Sequence, residues 1–266
     1  MGLDADTALR RSGDGAWEGE IVPGWGTPRG PLGGYVAAIV LRGLTLAVDD
    51  AERQPRSLTL HFLRVPEEGP VTVRARVERE GRSLSTVSGR LEQDGKLLGL
   101  ALAAFSRPWE SPLFEEAPMP EVPPPDSEAP PRESVRGAKP PPFTERLAMQ
   151  IRFGEAPFTG AEHGLVGGWT GLREDRPVDA LVVAVLADAW FPAPWPRLSE
   201  FAPAPTIDLT IHFRSPLPAA GPLVLGRFTN ALVRDGFFDE DGMLWSADGT
   251  LVAQSRQLGL LLGAEV

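Results

Sequence analysis

The sequence has no cysteine. That removes disulfides, thiolate metal sites and cysteine nucleophiles in one step. Histidine is scarce too. Only His61, His163 and His212 are present, too few for a histidine-rich metal site. Basic charge is short: 26 Lys and Arg stand against 36 Asp and Glu, for a net charge of −10. A nucleic-acid binder needs a basic stripe, so no nucleic-acid partner is expected. A small basic pocket for a phosphorylated ligand stays compatible with that balance. No apolar run is long enough to cross a bilayer, so no membrane insertion is expected. The opening MGLDADTALRR has acidic residues and no apolar signal core, which by default predicts a cytoplasmic protein. What remains is ordinary for a globular chain, with 42% hydrophobic and 23% charged residues. A length of 266 residues allows one large core or two smaller ones, and two suits the usual domain size.

One stretch organises the rest: PVDALVVAVLADAWFP, from Pro177 to Pro192. Val178, Leu181, Val182, Val185, Leu186 and Ala189 recur at three- and four-residue steps, which predicts a buried helix. Asp188 breaks the pattern. A carboxylate in the last turn has the wrong sign for the helix dipole and is costly to bury alone. Two readings stay open here: a solvent-facing or capping residue, or a carboxylate on the floor of a site.

Along the chain, residues 5–22 read as short strands around Ser12-Gly13-Asp14-Gly15. Residues 23–34 form a Gly- and Pro-rich loop that lacks the Lys-Ser/Thr ending of a phosphate-binding loop. The segment 34–48 is apolar almost all round and predicts an enclosed helix. Strands are expected at 57–64, 71–80, 83–93 and 96–106, the last two joined by the Asp94-Gly95 turn. Residues 108–142 are proline-rich and read as an extended spacer lying across the surface. Then the order repeats: strands at 144–154 and 165–173, the Pro177 helix, and strands at 206–214, 222–230, 232–239, 243–247 and 250–262. Landmarks repeat as well. His61-Phe62 precedes Gly69-Pro70 as His212-Phe213 precedes Gly221-Pro222, and Asp94-Gly95 matches Asp248-Gly249. This is the pattern of a diverged internal duplication.

An apolar helix in each half needs a surface that wraps it. Two curved antiparallel sheets, each wrapping a central apolar helix and joined into one long sheet, provide that. The expected class is α+β, a double hotdog. The expected division is an N-terminal hotdog at 1–107 without the catalytic set, a linker at 108–142, and a C-terminal hotdog at 143–266 with it.

The residues also resemble a family, the acyl-CoA thioesterase II group of double-hotdog thioesterases. GGYVAAIVLRGL at 33–44 is similar to its N-terminal helix, and the strands at 57–105 are similar to those that follow it. LADAWF at 186–191, TIDLTIHFR at 206–214 and DGTLVAQSRQLGLL at 248–261 resemble the segments carrying its catalytic side chains. The resemblance covers nearly the whole chain apart from the linker. It implies Asp188, Thr206 and Gln257 as catalytic residues that hold and activate a water, with a helix N-terminus polarising the thioester carbonyl. Gly33 and Gly34 at that helix start, and Trp190 and Phe191 beside Asp188, are the substrate-binding candidates. The resemblance implies an acyl-CoA substrate, lipid metabolism, and no cofactor or metal.

The residues themselves give partial support. A carboxylate can take a proton from water, and a hydroxyl and an amide can fix its approach. Gln257 shares a mostly apolar or small face with Leu251, Ala253, Ser255 and Gly259, so it is expected to be enclosed and partnered. Its counterpart in the first half is Ala103. Thr206 corresponds to Pro55, and an ungapped register sets Arg42 opposite Asp188. Thr206 poses a problem, because alternation places it with Asp208, Thr210 and His212, away from the apolar face. An irregular backbone after Pro205 would resolve it. His212 with Asp208 is a conceivable acid–base pair, but His61 repeats that position in the other half, which favours a structural role. Two other functions compete: a catalytically inert acyl-CoA or acyl-carrier binding protein, and a hotdog hydratase or dehydratase. The latter needs a histidine near Asp188. A homodimer or higher homo-oligomer is open, because the outer face of the long sheet can pair with a second chain.

Overall fold

The structure is a computed structural model in which residues 2–127 and 139–263 are described. Residues 128–138 of the predicted linker lie outside the described residues. The first half runs α1 (Leu3–Asp6), β1 (Arg10–Gly13), β2 (Ala16–Ile21), β3 (Gly26–Thr27), β4 (Gly30–Pro31), α2 (Gly33–Val48), β5 (Gln54–Phe62), β6 (Gly69–Glu80), β7 (Leu84–Gln93) and β8 (Lys96–Ser106). The second runs β9 (Leu147–Phe153), β10 (Gly164–Leu172), α3 (Ala180–Leu186), β11 (Thr206–Phe213), β12 (Val224–Asn230), β13 (Val233–Arg234), β14 (Phe237–Ser246) and β15 (Leu251–Leu260).

One sheet takes in nearly every strand, in the order β1-β2-β6-β7-β8-β5-β11-β15-β14-β12-β10-β9, with β13 paired to β14 and β3 paired to β4 apart from it. The junction is β5 against β11, where the Thr59 and Thr210 hydroxyls lie 3.0 Å apart. Outward from that junction the two halves present matching strands in matching chain order. The fold is a double hotdog, as expected. The duplication extends to a local irregularity: the β5–β8 pairing slips between Pro55 and Ser57, and the β11–β15 pairing slips between Thr206 and Asp208.

The core forms around α2, whose residues from Gly34 to Leu41, with Gly43 and Leu44, are buried. It packs on β6, β7, β8, β5, β2 and α3. Each enclosed Leu or Ile contributes roughly 2 kcal/mol of apolar burial, which is why a helix with no polar face is stable only when wrapped.

Two expectations need correction. Regular helix occupies only Ala180–Leu186 of the predicted 177–192 stretch. Asp179 caps it, accepting from the Leu181 and Val182 N–H groups at 3.0 and 3.1 Å. Beyond Leu186 the backbone tightens, with Asp188 N–H reaching Val185 O at 3.3 Å and Ala189 N–H reaching Leu186 O at 3.5 Å. Asp188 therefore follows the helix and does not sit in its last turn. Second, the break expected between 239 and 243 is absent, and β14 runs straight through Asp241-Gly242. The turn falls earlier, at Asp235 and Gly236, both with positive φ (53° and 78°), the backbone that an Asp-Gly hairpin requires. Gly242 is glycine for space: a Cβ there would lie 2.6 Å from the Phe228 ring and 2.3 Å from Ser255 Oγ.

The proline-rich stretch does lie on the surface where it is described. Trp245 Nε1 donates to Ala117 O at 2.8 Å, Trp169 Nε1 donates to Pro123 O at 2.9 Å, and Arg152 pairs with Asp126 at 3.0 Å. Two indoles of the second half thus hold its carbonyls.

Candidate active site

Helix α2 begins without a capping side chain of its own. Its missing acceptor comes from Asp188, 154 residues away, whose Oδ2 takes the Gly34 N–H at 2.7 Å. The start of one helix and the end of the other therefore meet at a single carboxylate. The positive end of the α2 dipole stabilises that charge. Close approach demands glycine: a Cβ at Gly34 would sit 2.7 Å from Ala184 O and Val185 O, and one at Gly33 would sit 2.9 Å from Asp188 Oδ2.

Gln257 reaches the same carboxylate from β15. It is 5% exposed, on the inner face with Ala253, Ser255 and Gly259. Its Nε2 donates to Asp188 Oδ1 at 3.2 Å, and its Oε1 accepts from Thr206 Oγ1 at 2.9 Å. Thr206 reaches Gln257 because of the slip in β11. Thr206 pairs with Gly259 and Leu209 pairs with Gln257, so the extra residue between Thr206 and Asp208 reverses the alternation. A bulge re-aims a side chain in this way. The irregular backbone anticipated after Pro205 is this bulge, inside the strand.

The first half carries the same bulge but not the polar set. Ala103 is buried opposite Leu58, and Pro55 holds the Thr206 position. Arg42 is bound to Asp4 at 2.7 Å and to Thr7 Oγ1 at 3.1 Å, and Arg176 bridges Asp4 to Asp179, the α3 cap. Where one half meets at a hydrogen-bonded carboxylate, the other is tied by ion pairs to α1.

Burial pushes the Asp188 carboxyl up to about 6, opposed by hydrogen bonds from Gly34, Gln257 and Gly33. Asp188 and Thr206 remain half-buried, so solvent reaches them. The result is a carboxylate that is ionised at neutral pH yet basic enough to accept a proton. A second carboxyl, which the sequence did not single out, lies beneath it. Glu240 stands opposite Gln257 across the β14–β15 ladder and is 6% exposed. Its signal was parity: Phe238, Glu240, Gly242 and Leu244 share the buried face of β14. The predicted strand break concealed it.

Trp190 and Phe191 are buried, 7% and 8% exposed. The Trp190 indole lies against Gly226 of β12, and its Nε1 has no hydrogen-bond partner among the described residues. His61 and His212 are exposed on the outer sheet face, away from Asp188. No group of three or more His, Cys, Asp or Glu among the described residues is arranged to hold a metal ion.

Residues 21–106 match the acyl-CoA thioesterase N-terminal domain, and residues 119–261 match the acyl-CoA thioesterase C-terminal domain. The chain belongs to the acyl-CoA thioesterase family. Within the wider fold, it is similar to a hot dog protein from Alicyclobacillus acidocaldarius, at 29% identity and a TM-score of 0.88, over 99% of this chain and 98% of that one. An acyl-CoA thioesterase II from Mycobacterium marinum shares the fold at 21% identity and a TM-score of 0.77, over 97% of each chain. An uncharacterised protein of Mycobacterium tuberculosis is 25% identical over 274 residues, covering 92% of this chain and 90% of that one. Both thioesterase domains thus lie within one chain, and Asp188, Thr206 and Gln257 all fall in the C-terminal one. No described helix is long and apolar enough to cross a membrane.

Proposed function

We propose that this chain hydrolyses an acyl-CoA thioester to the free acid and coenzyme A, with Asp188 as general base and Thr206 and Gln257 as the groups that position water. The observation that carries the reading is the continuous chain from Thr206 Oγ1 to Gln257 and from Gln257 to Asp188, assembled from three separated segments. Thr206 spends its hydroxyl proton on Gln257, so its oxygen is left to accept from water. A water donating one proton to Asp188 and the other to Thr206 presents a free lone pair to a thioester carbonyl. As it attacks, its proton passes to Asp188. The tetrahedral intermediate then expels the thiolate, and Asp188 returns the proton to sulfur. Positioning of this kind can supply several kcal/mol of the barrier. The dipole of α2, already directed at this point, favours the developing negative charge. Trp190 and Phe191 are proposed as walls of the acyl site.

A single turnover in heavy-oxygen water tests the step. Direct attack by water places the label in the released acid. Label recovered in the Asp188 carboxyl would mean a covalent acyl-enzyme and would overturn this mechanism.

One observation favours a second reading, binding without hydrolysis: both Asp188 oxygens are engaged within the protein, and one of them caps α2. The hydratase reading loses ground, since His61 and His212 lie on the outer face and His163 is 80% exposed beside Glu162.

A further inference from the structure

Glu240 is a buried carboxyl next to the site for which the mechanism above has no use. Its Oε2 accepts the Ala193 N–H at 2.6 Å, and its Oε1 lies 3.4 Å from Gln257 Nε2. Ala193 belongs to the segment that leaves α3 and carries Asp188. We propose that Glu240 is a positioning residue, which fixes the orientation of the Gln257 amide and ties the Asp188-bearing segment to the sheet. This rests on the thioesterase reading and extends it.

Gln257 Nε2 faces two carboxyl oxygens, one from Asp188 and one from Glu240. In the neutral acid the contact with Gln257 Nε2 puts the proton on Oε2 and leaves Oε1 a bare carbonyl oxygen, so a flipped amide would set its own oxygen against Glu240 Oε1 and Asp188 Oδ1 with no donor between them. The two carboxyls therefore lock Nε2 inward and Oε1 toward Thr206. That lock makes Thr206 a donor to Gln257 and leaves its oxygen open for water. With Asp188 alone, the amide would have only one such restraint.

The charge state of Glu240 supports the same role. Burial pushes its carboxyl up to about 8, the Ala193 N–H opposes this, and the charges of Asp188, Asp239 and Asp241 push further in the same direction. Asp239 and Asp241 flank it on β14 and pair with Arg256 of β15, at 3.8 and 3.2 Å. From β12, Asn230 donates to Asp239 at 3.1 Å. Asp188 is the acidic neighbour from the helical side. Around neutral pH Glu240 keeps its proton, so the site carries one negative charge. Above about 8 it gains a second. That charge opposes the oxyanion and draws the Gln257 amide away from Asp188.

The test is the pH profile of kcat for wild type and Glu240→Gln, with KM measured alongside. Wild type is expected to lose activity on the alkaline side. Glu240→Gln is expected to lose that alkaline limb, to fall at least tenfold in kcat and to keep KM, because Glu240 does not touch substrate. A merely structural role would lower stability and kcat without changing the profile's shape. An unchanged alkaline limb in the variant would overturn the proposal. Infrared titration of the wild-type carboxyl band needs no activity. A buried protonated carboxyl should disappear as pH rises through about 8, and should do so at lower pH in Asp188→Asn, which removes a neighbouring charge. A band that does not respond to Asp188→Asn would count against the coupling. Absence of thioester cleavage by wild type would sink the hydrolase reading, while the infrared result would still decide the state of Glu240.

Discussion

Gly34→Ala is a small change with two opposed consequences, and the structure decides between them. Alanine in a helix gains about 0.5–1 kcal/mol over glycine, and less near an end. Against this, the new Cβ would lie 2.7 Å from Ala184 O and Val185 O and 3.0 Å from Asp188 Cβ. These are mainly backbone atoms of α3, which cannot swing aside as a flexible side chain would. Overpacking of this kind costs about 1–3 kcal/mol. The net expectation is a loss of ~1–2 kcal/mol, a fall in Tm of roughly 2–8 °C for a chain of this size. The two helices must separate, and the 2.7 Å bond from Gly34 N–H to Asp188 lengthens. Displacing a base by even a fraction of an ångström is expected to cut turnover by ~10-fold or more. Thermal unfolding and steady-state kinetics read both effects. Gly13→Ala is the control, since its Cβ would meet only Ala16 Cβ at 3.8 Å. A Gly34→Ala protein that melts higher than wild type and turns over normally would refute the close-contact argument.

Other expectations follow from the same contacts. Thr206→Val keeps the shape and removes the hydroxyl that donates to Gln257. Turnover should fall by ~10–100-fold, with a stability change near 1 kcal/mol read from urea midpoints. The rate should decline below about pH 6, as the raised Asp188 carboxyl takes up a proton, which a pH series of kcat/KM would show. Stability should also track these carboxyls. Asp188 and Glu240 both hold protons more tightly folded than unfolded. Their contribution is therefore fully present below the ordinary carboxylate range and is lost as pH rises through about 6 and then about 8. Denaturation midpoints at several pH values would check the sign, and Glu240→Gln should flatten the alkaline part. Leu41→Ala, in the wrapped helix, should cost ~2–5 kcal/mol by chemical denaturation, because Leu41 is fully buried.

Much of this architecture is legible from local pattern. The β6 to β8 strands follow clean alternation, and α2 declares itself because no polar face interrupts it. The repeated His-Phe and Asp-Gly landmarks correspond to matching strands on either side of the β5–β11 junction. What pattern cannot show is where a tertiary contact overrides it. Periodicity carried the second helix on to Pro192, but the backbone unwinds after Leu186, where Asp188 turns to cap α2. Alternation pointed Thr206 outward, and a one-residue bulge turns it in. Glu240 was hidden by an Asp-Gly pair at 241–242 that reads as a turn. It is instead a strand position kept small for Phe228. Asp188, Gln257 and Thr206 were reachable because their segments resemble a family. Glu240, which no motif marks, needed the sheet register.

The most direct test of the account is release of coenzyme A from a panel of acyl-CoAs, short to long, by wild type and by Asp188→Asn. A thiol reagent reads the product without background, because the chain has no cysteine. Asparagine caps a helix about as well as aspartate, so the α2 cap is kept while the base is lost. The account predicts release by wild type and its collapse in Asp188→Asn, with the fold intact. Equal release by both proteins would contradict Asp188 as the base, and binding without release from any substrate would leave a carrier of acyl-CoA in place of a hydrolase.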